Sequence, residues 1–506
     1  MSFDSCAPSV PLRTMLCALS LSFAGCANQS TLNEVRASSN PKDRAQRSIT
    51  NFTPALRCMD DMMFTMGTRD VSMMMEEFRD ATQRVPVAAR DMMTSALSDM
   101  TRRSRGVRLS VFGSDQQNLT QVLQQAQKTN AFAVVPQYNI RGSISQMDDG
   151  VQKTGGSVGL TLAEALFGAR LGSDTKFSVI GLDAAVVDTN SMTLMSGVIS
   201  KNTTVLSSRD TSAADGQAKL QNQTIGLVFS FDTSRSEGPA QAARNMIELS
   251  AVELVGKLIR APYWRCLGVA DNDAEIQREM DDWFFSMDEA ERTRFFQERM
   301  RERRYYDGAL DGRADSAFNA ALKDYRVAMK LPAQGAMDEV FFRSFITTPV
   351  PRGRVQVSAK PPAGTPPPVV AAAVATEPVL EITTSPAPSR KKGINLLVKV
   401  AQAGYVYCYT QDPVTRKIQR VFPNRFVKDP HVEPGKSLQL PGKNGFVLNP
   451  AAEFACLHAP KEVYSDLPPP LRWGDFEDIR LDNFQAIQTQ FSEASGFPVQ
   501  LVSKGP

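Results

Sequence analysis

Ten prolines fall between Pro349 and Pro388, and neither a helix interior nor a central strand can run through such a stretch. Each proline fixes φ and lacks an N–H donor, so the segment reads as an extended, semi-rigid connector. It forces the parts of the 506-residue chain on either side to build their own cores. Length allows about three domains. The composition shifts divide the chain into a leader (1–25), a Ser/Asn-rich tether (26–51), a mixed α/β region (52–270) and a charged, aromatic helical region (272–348). The linker (349–393) and a β-rich region (394–506), with a helical stretch near Asp475–Ser492, complete the chain. The expected fold class is α+β.

Hydrophobic residues make up 42% and charged residues 22%, and the net charge is +3. This balance excludes a polytopic helical membrane protein and gives no argument for a nucleic-acid partner. Past residue 26 no stretch approaches the ~18–20 consecutive apolar residues of a spanning helix. Ahead of it, Arg13 precedes the short apolar run Met15–Phe23, of the length of a secretory h-region. The following Phe23-Ala24-Gly25-Cys26 resembles a lipoprotein signal, which implies cleavage before Cys26 and acylation of its thiol. With Ala27 next, that resemblance implies sorting to the outer membrane, with membrane lipid as a partner. Asp4 and Phe23 depart from the usual pattern.

Cys6 and Cys17 leave with such a leader, so four cysteines remain: Cys58, Cys266, Cys408 and Cys456. An even number in an oxidising compartment points to disulfides. Three pairings are possible; keeping partners on the same side of the linker favours Cys58–Cys266 and Cys408–Cys456. With no C-x-x-C pair and only His431 and His458, neither a zinc site nor any other metal or cofactor is expected.

In the first region Val85–Leu97 has helical spacing, Val107–Phe112 alternates as a strand, Asn118–Lys128 is amphipathic, and Val134–Ile144 reads as a strand. Asp183–Val187 and Met192–Ser200 read as a hairpin around Asp188-Thr189-Asn190-Ser191, and Pro239–Ile259 as a long helix. Two further segments exceed what a compact domain needs. In Gln223–Asp232, Ile225, Leu227, Phe229 and Phe231 share one face, and across the tip Ala213–Gln217 the run Ser200–Ser208 is also strand-like. In Gln152–Ile180, Val158, Leu160 and Leu162 alternate with small residues. Arms near the ~9–11 residues of a tilted membrane strand, apolar outward and polar inward, suit a barrel with a watery lumen. Long hairpins of an ordinary sheet are the alternative.

Over 52–268 the chain resembles the curli secretion channel family, through Tyr138-Asn139-Ile140-Arg141-Gly142-Ser143-Ile144, the Phe177–Leu206 link, the Val85–Leu97 helix and the helix start at Gln117-Asn118-Leu119. The resemblance implies a ring homo-oligomer whose subunits each lend two hairpins to one barrel and pass unfolded protein without nucleotide hydrolysis. It also implies a pore-narrowing loop, here within Gly67–Arg84, with Met73, Met74, Met75 and Phe78 as candidates; packing filler is the other reading of those methionines. This loop departs from the family pattern.

Arg304-Tyr305-Tyr306-Asp307-Gly308-Ala309-Leu310-Asp311-Gly312 resembles the Y-Y-D-G-x-x-D-G turn of small peptidoglycan-binding domains, with Phe318–Leu322 and Gly335–Asp338 following. It implies peptidoglycan as a further partner through Tyr306, Asp307, Gly308, Asp311 and Gly312, although such Asp and Gly residues also serve turn chemistry. The stretches Gly404–Cys408, Val421–Asn424 and Val432–Lys436 resemble a β-rich domain of unknown function found in bacterial envelope proteins. There Tyr405, Tyr407 and Tyr409 share a strand face, read as packing ahead of binding.

No G-x-S-x-G, H-E-x-x-H, P-loop or dinucleotide fingerprint occurs, so an enzyme is not expected. The acidic pairs Asp60-Asp61 and Asp281-Asp282 read as surface or capping residues. Two readings remain: an oligomeric secretion channel for curli-like or adhesin-like substrates, or a non-pore periplasmic lipoprotein that binds the wall or activates its synthesis.

Overall fold

The computed structural model describes residues 52–75, 78–111, 135–151, 175–209, 215–222, 228–234, 238–351, 353, 379–387, 393–442 and 446–505. Cys26, Val158, Leu160, Leu162, Ile225, Leu227 and the Asn118–Lys128 helix lie outside them. The fold is α+β. Its first sheet runs β3-β1-β4-β5-β6-β7-β8, with β2 also on β4. The strands are β1 (Val71–Met75), β2 (Arg79–Asp80), β3 (Val107–Val111), β4 (Tyr138–Val151), β5 (Thr175–Asp188), β6 (Thr193–Arg209), β7 (Asp215–Asn222) and β8 (Val228–Ser234). β1 pairs in parallel with β3 and β4, and from β4 to β8 the sheet is an antiparallel meander. The expected hairpin around Asp188 is the β5–β6 turn, where the Asp188 carboxylate accepts from the backbone of Asn190 and Ser191.

Helix α3 (Gly238–Leu258) packs on β5 and β6 of this sheet and helix α2 (Ala89–Asp99) against β2 and β3, while helix α1 (Thr53–Thr65) packs on α2 and α3. α2 starts four residues later than the periodicity implied. Pro86 disfavours helical backbone at Val85, and Val85 instead donates its N–H to Asp80 at 2.7 Å, closing a tight loop. α3 is buried almost all round, because β5 and β6 lie on one side and α1 and α2 on the other. A helix so enclosed cannot show a polar face.

The helical region consists of α4 (Ala274–Ser286), α5 (Glu289–Glu302), α6 (Ser316–Ala328) and α7 (Glu339–Thr347). Asp273, Asp288, Asp315 and Asp338 cap them in turn, Asp288 in a reciprocal box with Glu291. These acceptors satisfy N–H groups that the first helical turn leaves unpaired. Phe295, Phe296, Phe341, Phe342 and Phe345 form the centre. The boundary expected at 270–272 does not divide the interior: one apolar cluster extends from Phe52 to Val350, joined where Trp264 meets Trp283 at 5.8 Å.

Past the linker, β9 (Leu380–Pro386), β10 (Ile394–Val400) and β14 (Ser437–Leu440) make a three-stranded sheet. It faces a second sheet of β11 (Gly404–Gln411), β12 (Ile418–Phe422), β13 (His431–Val432), β15 (Glu453–Ala459), β16 (Asp478–Ile479) and β17 (Gln500–Lys504). Leu396, Val398, Val406 and Phe454 lie in the cluster between the sheets. β9 corrects the linker boundary of 393. Leu380 and Ile382 alternate with exposed neighbours, and prolines are tolerated at the end of an edge strand. Helix α8 (Phe484–Ser495) covers the outer face of the second sheet, starting at its Asn483 cap rather than at Asp475.

Candidate functional site

The meander β4–β8 is the part of the molecule furthest from ordinary dimensions. β4 and β5 have 14 residues and β6 has 17, where strands usually have about 5–6. At ~3.4 Å per residue β6 is roughly 58 Å long, whereas the 21-residue helix α3 beneath it spans only about 32 Å. The second hairpin corrects the sequence reading. The described part of Gln223–Asp232, Val228–Asp232, does not pair across one tip with Ser200–Ser208; an additional strand, β7, stands between them. Phe229 and Phe231 fall in β8, opposite Leu220 and Ala218.

The expected constriction is also corrected. Much of Gly67–Arg84 is not a loop, since Val71–Met75 is an interior strand of the sheet. Met73 and Met75 are completely buried and Met74, on the opposite face, is half-buried. Phe78 is buried and lies so close over Gly142 that a Cβ there would stand 2.4 Å from its ring. Met73, Met75 and Phe78 are part of the apolar core.

Beneath β6, α3 brings polar groups inside. Ser200 donates to Glu253 at 2.5 Å and accepts from Asn202 at 2.9 Å. Lys257 lies 3.5 Å from Glu253 and donates to the Ile199 carbonyl at 2.8 Å. Nearby, Tyr263 donates to Glu279 at 2.8 Å. Burial pushes Glu279 up to about 7 against the pull of Lys257 and the tyrosine.

In the Y-Y-D-G-x-x-D-G turn, Tyr306 is buried and donates to the Ala309 carbonyl at 2.7 Å. Gln297 inserts its amide between the Tyr306 hydroxyl and the Arg313 carbonyl. Gly312 has φ +76°, and a Cβ there would meet the Ala290 carbonyl oxygen at 2.6 Å. The rest of the turn faces the C-terminal region: Tyr405 donates to the Asp307 carbonyl at 2.8 Å, and Asp429 accepts from Arg301 at 2.6 Å and from Leu310 N–H at 2.8 Å. Tyr405, Tyr407 and Tyr409 are all buried, Tyr407 and Tyr409 beneath α8 against Phe491 and Tyr405 against His431.

The junction between the two halves was not foreseen from sequence. Arg420 on β12 donates to Asp70 at 2.7 and 3.1 Å, and Asp475 binds Arg425 at 2.5 Å while its N–H donates to Asp70 at 2.9 Å. Burial alone would raise Asp70, but the charge and hydrogen bonds of Arg420 and the charge of Arg69 hold it below the usual carboxylate range. One signal was visible: Arg420 sits two residues from Ile418 and from Phe422, in register with core positions. An arginine there requires a buried acid. Asp60 is likewise no surface carboxylate; it accepts from the Arg103 and Ser104 N–H groups at 2.8 Å each.

Cys58–Cys266 and Cys408–Cys456 are both disulfide-bonded, the second between directly opposed residues of β11 and β15. Among the described residues no helix is long and apolar enough to cross a membrane. No curated protein matches the chain. Residues 392–455 match a family described as a domain of unknown function (DUF4384), a match that runs from β10 into β15 and stops one residue short of Cys456.

Proposed function

We propose that the chain is an outer-membrane lipoprotein, anchored through Cys26, whose copies form a ring and combine their β4–β8 strands into one barrel that exports unfolded protein. The observation that carries this reading is the excess of β6 over the helix beneath it, roughly 25 Å. That is about the height of the apolar band of an outer-membrane barrel. Strands continuing past their helical cover need another surface to bury them. β8 ends the sheet with no strand on its outer side among the described residues. Such an edge is tolerable in lipid only when a neighbouring subunit closes it. The helical and β-sandwich regions then stand on the periplasmic side, joined to the body through Asp70 and Arg420.

The test is negative-stain imaging of full-length protein extracted from outer membranes in mild detergent. Rings with a central pore are expected, and deletion of 215–234 should abolish them while the remaining regions keep their disulfides. Uniform monomers or small dimers would overturn the channel and favour a wall-binding accessory lipoprotein.

A further inference from the structure

Where the first sheet, the helical region and the C-terminal region meet, the molecule forms a half-open cavity of about 290 Å³. Five cations line it: Arg69, Arg260, Arg299, Arg301 and Lys428. Three carboxylates face them, Glu298, Glu302 and Glu462. Most of these charges are already engaged. Arg301 is held by Asp429 at 2.6 Å, and Arg299 by Glu302 at 3.3 Å and the Ile259 carbonyl at 2.8 Å. Glu462 accepts the Tyr407 hydroxyl and the Tyr464 N–H.

Arg69 and Arg260 are different. The Arg69 guanidinium stacks 3.8 Å over the Tyr464 ring and, against burial, the charges of Glu462 and Asp70 hold its pKa above the usual value, yet among the described residues no group accepts a hydrogen bond from it. Arg260 likewise has no side-chain acceptor among the described residues. It follows directly on α3 in left-handed backbone, φ +47°, a conformation that side-chain-bearing residues other than Asn and Asp rarely adopt. Burial pushes its pKa down, with the acids Glu291 and Glu298 only partly opposing. A guanidinium carries five donors in a planar fork that matches an oxyanion, and both arginines are only half-buried, so their donors can reach a ligand in the cavity.

We propose that this cavity binds a small ligand bearing an oxyanion, a phosphate or a carboxylate, between Arg69 and Arg260. Lys428, exposed at the rim, supplies a third positive charge on the approach. Because the lining comes from all three regions, the ligand fastens the C-terminal region and the helical region to the body. The site is independent of how subunits assemble.

The test uses full-length protein in detergent, titrated with inorganic phosphate and, separately, with acetate, followed by calorimetry and by thermal melting. Saturable binding of one or both is expected, and the better probe identifies the oxyanion. Arg69→Gln and Arg260→Asn should each weaken it roughly tenfold or more, since charge-assisted hydrogen bonds are the strong ones. Arg313→Gln, an exposed arginine outside the cavity, should bind as the parent does. Arg260→Asn keeps a residue suited to left-handed backbone, so loss of binding there with an unchanged circular dichroism spectrum is separable from misfolding. No saturable binding of either probe, or binding that both cavity variants retain, overturns the proposal.

Discussion

Arg420 and Asp70, 350 residues apart in sequence, meet at 2.7 Å with both side chains only 1% exposed. Around them Asp475, Arg425 and the carbonyls of Pro423 and Trp473 complete a network in which each charge is met. The pair lies between the first sheet and the C-terminal sandwich, so it makes one body of the parts that the proline-rich segment separates in sequence.

Removing one partner leaves the other buried and uncompensated. Asp70→Asn is expected to cost about 3–5 kcal/mol of stability and to be rescued in part by Arg420→Met, which removes the stranded cation. Urea denaturation of the two single variants and the double variant reads this directly; additive losses would show that the two residues do not act as a pair. The pH dependence has a definite sign. Asp70 titrates below the usual carboxylate range when folded, so its contribution is complete above the unfolded value, about 3.9, and is lost as pH falls through the lower, folded value.

Glu279 gives the opposite sign. Its folded value is about 7 against about 4.3 in the unfolded chain, so the folded state holds a proton that the unfolded state has released across that interval. Stability therefore falls as pH rises from about 4 to about 7, by on the order of 3–4 kcal/mol if nothing relaxes. Glu279→Gln keeps an acceptor for Tyr263 and should flatten this slope and raise stability at pH 8. An unchanged slope in thermal melts from pH 5 to pH 8 would show that the carboxylate does not titrate in this range.

Much of this fold was legible because its signals are local. The helical character of 272–348, the Asp188 turn and the α3 segment are each set within a few residues, and the structure keeps them. The methionine-rich segment was less so. Met73-Met74-Met75 carries no helical or turn signal, and only its parallel partners β3 and β4, more than thirty and sixty residues away, define it as an interior strand. β7 was missed for a related reason: Asp215–Asn222 is mostly polar, with Leu220 its one large apolar residue, and lacks the sustained apolar alternation of a half-buried strand. The Asp70–Arg420 junction and the Arg69–Arg260 cavity depend on contacts across the whole chain, which no window of sequence contains.

Gly312 tests whether the Y-Y-D-G-x-x-D-G turn is a framework element. Its backbone is left-handed, and a Cβ at this position would stand 2.6 Å from the Ala290 carbonyl oxygen, which leaves no room for a methyl group. Gly312→Ala should cost about 1–3 kcal/mol from backbone strain and displacement of α5. Gly435→Ala is the control, since its φ of +77° is similar but nothing lies within 4 Å; it should cost only the backbone part. Equal losses in chemical denaturation would remove the steric argument.

The two disulfides should separate under native reduction. Cys408 and Cys456 are fully buried between the sheets of the sandwich, whereas Cys58 and Cys266 are only partly covered. A thiolate must reach sulfur to exchange, so a mild reductant with an alkylating agent should label Cys58 and Cys266 first. The Cys408–Cys456 bridge should react only as the sandwich opens. Opening the first bridge releases a loop with a sequence separation of 208, and chain entropy puts that constraint at roughly 5 kcal/mol, an upper bound because denatured chains retain structure. A marked fall in melting temperature should therefore accompany the first labelling. Mass spectrometry showing all four cysteines labelled at one rate would mean that the sandwich opens as readily as the body, against the burial of its core.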